Sequence, residues 1–116
     1  MILPGAGTRI FLATGPTDMR RGFDGLSELV RQRIEADPLN GHWFIFCNRR
    51  RNRLKVLFFD GSGLWLCQKR LERGVYSWPD GDVGASVTLT REELTLLLGG
   101  IELEKARAKD WWRRSI

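Results

Sequence analysis

The 116-residue chain reads as a single α+β domain, a mostly antiparallel β-meander sheet of roughly four to six strands with one longer and one shorter α-helix. Three observations predict this. Apolar residues recur at spacings of three and four from Met19 to Ile34. Residues 43–78 break into short apolar runs separated by turn residues. Thr90-Arg91-Glu92-Glu93 is a capping box that opens a second, leucine-rich periodic stretch.

After an irregular lead-in containing Pro4, Gly5 and Gly7, a first strand is expected from Arg9 to Ala13, ended by Gly15-Pro16. Thr17 or Asp18 is placed to cap the longer helix, whose apolar stripe is Met19, Phe23, Leu26, Val30 and Ile34; Asp37-Pro38 stops it. Gly22 and Gly25 each cost roughly 1 kcal/mol in a helix interior, so the regular helix is expected from the Phe23 region to about Glu35, with Asp24 as a second cap.

The meander strands are expected at Trp43 to Cys47, Arg53 to Phe59, Leu64 to Leu71 and Val75 to Trp78. A turn centred on Ser62 pairs Phe59 with Trp65, Leu57 with Cys67 and Lys55 with Lys69, and the Asn48 to Asn52 turn is centred on Arg50. Alternation then puts Phe44, Phe46, Leu54, Val56, Phe58 and Leu66 on a core face. The other face carries Trp43, Ile45, Cys47, Arg53, Lys55, Leu57, Phe59, Trp65, Cys67 and Lys69, mixing aromatic with cationic groups. Two lysines directly opposite repel, so Lys55 and Lys69 require an internal acid, with Asp18, Asp24 and Glu72 as candidates, or an external anion. A short strand near Val87 and the helix through Leu94, Leu97 and Leu98 complete the domain, ended by Gly99-Gly100.

At 116 residues the chain holds a real core but not two domains. A composition 42% hydrophobic and 28% charged is that of a folded protein, not a disordered basic tail. No apolar run approaches a membrane span, and the start Met1-Ile2-Leu3-Pro4-Gly5 has no leader pattern, so a cytoplasmic protein is expected. Cys47 and Cys67 sit in apolar runs without metal-ligand spacing and are expected to be reduced and buried; no metal or cofactor is expected.

Charge is concentrated. Between residues 49 and 73 lie Arg49, Arg50, Arg51, Arg53, Lys55, Lys69, Arg70 and Arg73 against only Asp60 and Glu72, a net +6 where the whole chain is +5. Such a surface attracts polyanions and releases counterions on meeting phosphate, so these eight residues are the candidate nucleic-acid contacts, led by the hairpin tip Arg49-Arg50-Arg51. A solvated basic face is the plainer alternative. Trp43, Trp65, Trp111 and Trp112 are candidate partner-binding aromatics, since Trp and Arg are enriched where interfaces concentrate their energy. Trp111 and Trp112 can equally pack on their own domain.

No catalytic constellation is expected. Asp18 and Asp24 differ by about 240° around a helix and share no face. His42 precedes a strand and Ser62 lies in a turn, neither with a spaced partner.

The run Gly15-Pro16-Thr17-Asp18-Met19-Arg20-Arg21-Gly22-Phe23-Asp24-Gly25-Leu26 resembles the small TnpB-type accessory protein, the second open reading frame, of the insertion sequences numbered sixty-six. The resemblance continues through Asp37-Pro38, Gly41, Phe46, Arg49, Arg53, Lys55, Leu57, Asp60-Gly61, Gly63, Lys69-Arg70-Leu71-Glu72-Arg73-Gly74, Trp78-Pro79, Leu94, Leu97, Leu98 and Gly100-Ile101. It divides the chain into an accessory domain, residues 1–101, and a charged Trp/Arg-containing tail, residues 102–116. The resemblance implies a bacterial mobile-element protein that assists a separate transposase without catalysis of its own. Two readings stand: contact with DNA, at element ends or on any duplex, through the basic hairpin and sheet face, or docking onto the transposase without touching DNA. The oligomeric state is open.

Overall fold

Strands β1 (Ile10–Ala13) and β2 (Trp43–Cys47) are apolar at every position and buried at every position. Strands with a core on both faces read as continuous apolar runs instead of alternating ones. In the computed structural model, which describes residues 4–99 and 113–114, these two strands are the centre of a mixed six-stranded sheet of order β4-β3-β2-β1-β5-β6. The other strands are β3 (Arg53–Phe59), β4 (Leu64–Arg70), β5 (Ser86–Leu89) and the two-residue β6 (Arg113–Arg114).

The meander holds for β2, β3 and β4, which pair antiparallel in sequence. It fails at β1, which runs parallel to β2 and antiparallel to β5. The reason is the helix between β1 and β2: a helical crossover returns the chain to the starting end, which makes the flanking strands parallel. That helix, α1 (Phe23–Leu29), continues as a π-helical turn over Val30–Ile34 and ends at Glu35, whose φ of 61° is left-handed. It begins without a side-chain cap, because its N-cap residue is Gly22, which has no side chain to accept; Asp18, four residues earlier, accepts from Arg20 instead. The second helix, α2 (Arg91–Leu98), opens with the expected capping box: Glu93 N–H donates to Thr90 Oγ1 at 3.1 Å and Thr90 N–H to Glu93 Oε1 at 2.8 Å.

The two helices cover opposite faces. Leu26 of α1 and Val30 of the π-helical turn that continues it pack on Phe11, Ala13, Phe44, Phe46 and Leu57. Leu94, Leu97 and Leu98 of α2 pack on Ile10, Leu12, Trp43, Ile45, Leu54, Val56, Phe58 and Val87. Val75 to Trp78 forms no strand. Its apolar signal comes from two plugs in a loop, Tyr76 and Trp78, only 2% and 4% exposed; the Trp78 indole N–H donates to the Ala13 carbonyl at 2.9 Å.

Both hairpins are in registers one residue away from the expected ones. Asp60 N–H donates to the Gly63 carbonyl, so the turn has two central residues, Gly61 and Ser62, and the pairs are Phe58 with Trp65, Leu57 with Leu66 and Lys55 with Gln68. Asp60 Oδ1 enforces this by accepting from the N–H groups of Ser62 and Gly63 at 2.8 and 2.9 Å. At the other hairpin Asn48 N–H donates to the Arg53 carbonyl, enclosing four residues. Asn48 Oδ1 accepts from Asn52 and Arg53, and Arg51 takes the left-handed φ of 61° that closes the loop. A shift of one residue exchanges faces. Trp43, Ile45 and Cys47 therefore share a face with Leu54, Val56 and Phe58, and Lys55 lies on the α1 face while Lys69 lies on the α2 face. The two lysines are not neighbours. Residues 100–112, including Trp111 and Trp112, lie outside the described residues. Among the described residues no helix is long and apolar enough to cross a membrane.

Candidate nucleic-acid interface

Parallel pairing of β1 with β2 puts the carboxyl ends of both strands at the same edge of the molecule, and β4 ends there too. Three connections converge on this end: the loop after β1, the β2–β3 hairpin and the segment joining β4 to β5. The loop after β1 is tied to β2 by Thr17 N–H donating to the Cys47 carbonyl at 2.7 Å, and to the loop before β5 by Thr14 N–H to Ala85 and Gly15 N–H to Pro79. The segment after β4 is tied to the hairpin by Leu71 N–H to Asn52 at 2.8 Å and Tyr76 N–H to Arg51 at 2.7 Å. Backbone bonds thus tie these connections to one another at the end where the charges stand.

Eight arginines gather there: Arg20, Arg21, Arg49, Arg50, Arg51, Arg53, Arg70 and Arg73, against Asp18, Glu72, Asp80 and Asp82. Arg53 and Arg70 are Cα partners on β3 and β4, both exposed, so the two arginines share one face of the sheet. Like charges directly opposite are unfavourable unless an anion joins them. Arg70 Nε meets Glu72 Oε2 at 3.0 Å, while Arg49, Arg50, Arg53 and Arg73 enter no ion pair among the described residues.

The expected contacts therefore divide. Arg49, Arg50, Arg53, Arg70 and Arg73 are exposed at this end. Arg51 is an anchor: its guanidinium donates to the Trp78 carbonyl at 3.1 Å and to Asp80 at 2.9 Å, tying the hairpin to the loop below it. Lys55 is only 9% exposed, with Nζ donating to the Met19 and Arg21 carbonyls, so it supports the basic end from beneath. Lys69 Nζ donates to the Leu98 carbonyl, where a cation satisfies an orphan acceptor at the α2 carboxyl terminus. Neither lysine takes the internal acid the sequence suggested; main-chain carbonyls serve instead. Trp43 is buried, stacked on Phe58 at 4.8 Å, whereas Trp65 is 48% exposed. Cys67 is exposed, contrary to expectation, and Cys47 is buried.

Arg20 and Arg21 join this end through the Thr17–Cys47 tie and the Lys55 contacts. Sequence reasoning treated that segment as capping and ion pairing. The strand–helix–strand order itself was the signal, because a parallel crossover sets the loops after both strands at one end.

The remaining polar groups have structural duties. Asp18 is held at about 2 by the Arg20 side chain and backbone N–H, and Asp60 is held far below the ordinary carboxylate range by Trp65 Nε1 and the turn N–H groups. His42 Nδ1 accepts from Arg9 N–H, and burial lowers its pKa. Among the described residues no three His, Cys, Asp or Glu side chains form a metal-holding group.

Residues 8–108 match a family described as IS66 Orf2 like protein. Two proteins of Sinorhizobium fredii, both described as uncharacterized, are similar over nearly their whole length. The protein y4hO is 38% identical over 113 residues, covering 97% of this chain and 96% of its own. The protein y4jC is 40% identical over 109 residues, covering 94% and 92%. No solved structure matches the chain.

Proposed function

The chain belongs to the IS66 Orf2-like family, and from that premise we propose that it is a non-catalytic accessory protein of a bacterial insertion sequence, assisting transposition by holding duplex DNA against the arginine-rich end of its sheet. The observation that carries this reading is the Arg53–Arg70 pair beside the Arg49-Arg50 hairpin tip. Two arginines directly opposite on neighbouring strands repel, and each fork accommodates phosphate oxygens, so a phosphate backbone lying across them is favourable. Arg20, Arg21 and Arg73 extend the same surface.

The test is anisotropy of labelled element-end and scrambled duplexes with the full chain, over a salt series, beside an Arg49→Ala/Arg50→Ala/Arg53→Ala variant. Binding that weakens steeply with salt and with the substitutions supports the reading, and preference for the ends assigns specificity. No binding at ~50 mM salt, where phosphate contacts are strongest, rejects it and leaves docking onto the transposase as the role of the basic end.

A further inference from the structure

Strand β4 is the outer edge of the sheet, seven residues long, with no partner on its far side among the described residues. Such an edge presents a row of unpaired main-chain groups. On the α2 face, beside it, lies an apolar groove of about 290 Å³ lined by Trp43, Leu54, Phe58, Cys67, Lys69 and Leu98. On the same face of β4 stands Trp65, 48% exposed, its ring stacked on Phe58 and its N–H held by Asp60 at 2.8 Å. The molecule thus carries a rigid aromatic peg and an apolar slot on the same edge.

We propose that β4 pairs antiparallel with β4 of a second copy about a two-fold axis at Cys67, each Trp65 entering the groove of the other copy. The register follows from the strand. Seven residues overlap completely only when Cys67 is the centre, which sets Trp65 opposite the other copy's Lys69, and Leu64 opposite its Arg70. Directly opposed residues lie on one face, so each indole meets the Lys69 and Cys67 that line the slot, in reach of a cation–π contact. Charge favours this orientation. Asp60 at one end of β4 approaches the other copy's Arg73 beyond the opposite end, whereas parallel pairing stacks Lys69 on Lys69 and Arg70 on Arg70. Lys69 and Arg70, which on an edge ordinarily discourage pairing, each face an uncharged side chain. This interface stands independently of DNA binding.

Sedimentation equilibrium of the full chain, at concentrations up to about 100 µM, reads the mass. The expected result is a dimer of twice 13.3 kDa. Trp65→Ala and Cys67→Glu, which empties the slot or sets two carboxylates on the axis, each weaken it about tenfold or more, with circular dichroism unchanged. Diamide supplies the oxidant for a second reading: it takes up the two hydrogens as two Cys67 thiols become one disulfide. Opposed residues have Cα atoms about 4.5–5.5 Å apart, within disulfide range, so the wild type cross-links; Cys67→Ser does not cross-link but sediments as a dimer. A monomer at every concentration overturns the proposal and leaves the groove to residues of the same chain. A dimer that neither cross-links at Cys67 nor responds to Trp65→Ala also overturns it, placing the interface elsewhere.

Discussion

Lys55 Nζ donates to the carbonyl oxygens of both Met19 and Arg21, at 2.7 and 2.9 Å, from a position on β3 that is 9% exposed. One ammonium thereby fixes the segment that carries Arg20 and Arg21 against the sheet. Lys55→Met keeps the aliphatic stem but leaves two carbonyls without their charged donor, and is expected to cost about 2–3 kcal/mol in urea unfolding. Arg53→Ala, one pleat away on an exposed position, is expected to cost under about 0.5 kcal/mol.

Tyr76 is 2% exposed and its hydroxyl has no hydrogen-bond partner among the described residues. Tyr76→Phe removes that buried, unpaired polar group without opening a cavity. The expected outcome is a gain of about 1 kcal/mol, seen as a higher Tm; a clear loss would mean that the hydroxyl is hydrogen-bonded in solution.

Thr90 Oγ1 accepts the N–H of Glu93 and completes the box at the start of α2. Thr90→Ala is expected to cost about 1 kcal/mol, and Thr90→Ser to recover most of it. Because Leu94, Leu97 and Leu98 close the larger core, the loss should appear in global unfolding and not as local fraying.

The pH dependence has opposite signs at the two extremes. Asp18 and Asp60 have lowered folded-state pKa values, so their contribution is present above the ordinary 3.8 and is lost as pH falls; for Asp18 the window closes near 2. Cys47 is pushed by burial from 9.0 to about 12 and Tyr76 from 10.0 to about 12. Each must stay neutral in the fold while the unfolded chain ionises, so stability is full below pH 9 and falls between pH 9 and 12. Urea midpoints across pH should show both slopes, and Cys47→Ala should flatten the alkaline one. An unchanged alkaline slope in that variant would remove Cys47 from the explanation.

The helices, the capping box, the turns and the existence of β1 to β5 were legible in the sequence because each rests on local chemistry. Faces were not. WFIFC and LKVLFF have no alternation to read, since their strands are covered on both sides, and the registers depended on whether Asp60 and Asn48 closed turns with an even number of residues. The strand assigned to Val75–Trp78 is a loop because its aromatic content serves as plugs, a distinction made only by tertiary contacts. At the candidate site, the clustering of Arg49, Arg50, Arg53, Arg70 and Arg73 followed from their places in the meander. Removal of Arg51, Lys55 and Lys69 to anchoring duties, and entry of Arg20 and Arg21, required the parallel crossover and main-chain acceptors that no side-chain pattern encodes.

The most direct test of the DNA-holding end is the salt dependence of duplex affinity for the wild type and for Arg53→Ala/Arg70→Ala. If these two guanidiniums contact phosphates, the slope of log K against log salt becomes shallower by about 1.8, roughly 0.9 for each lost contact, while unfolding stability stays near that of the wild type. An unchanged slope and affinity in the folded variant would contradict the account.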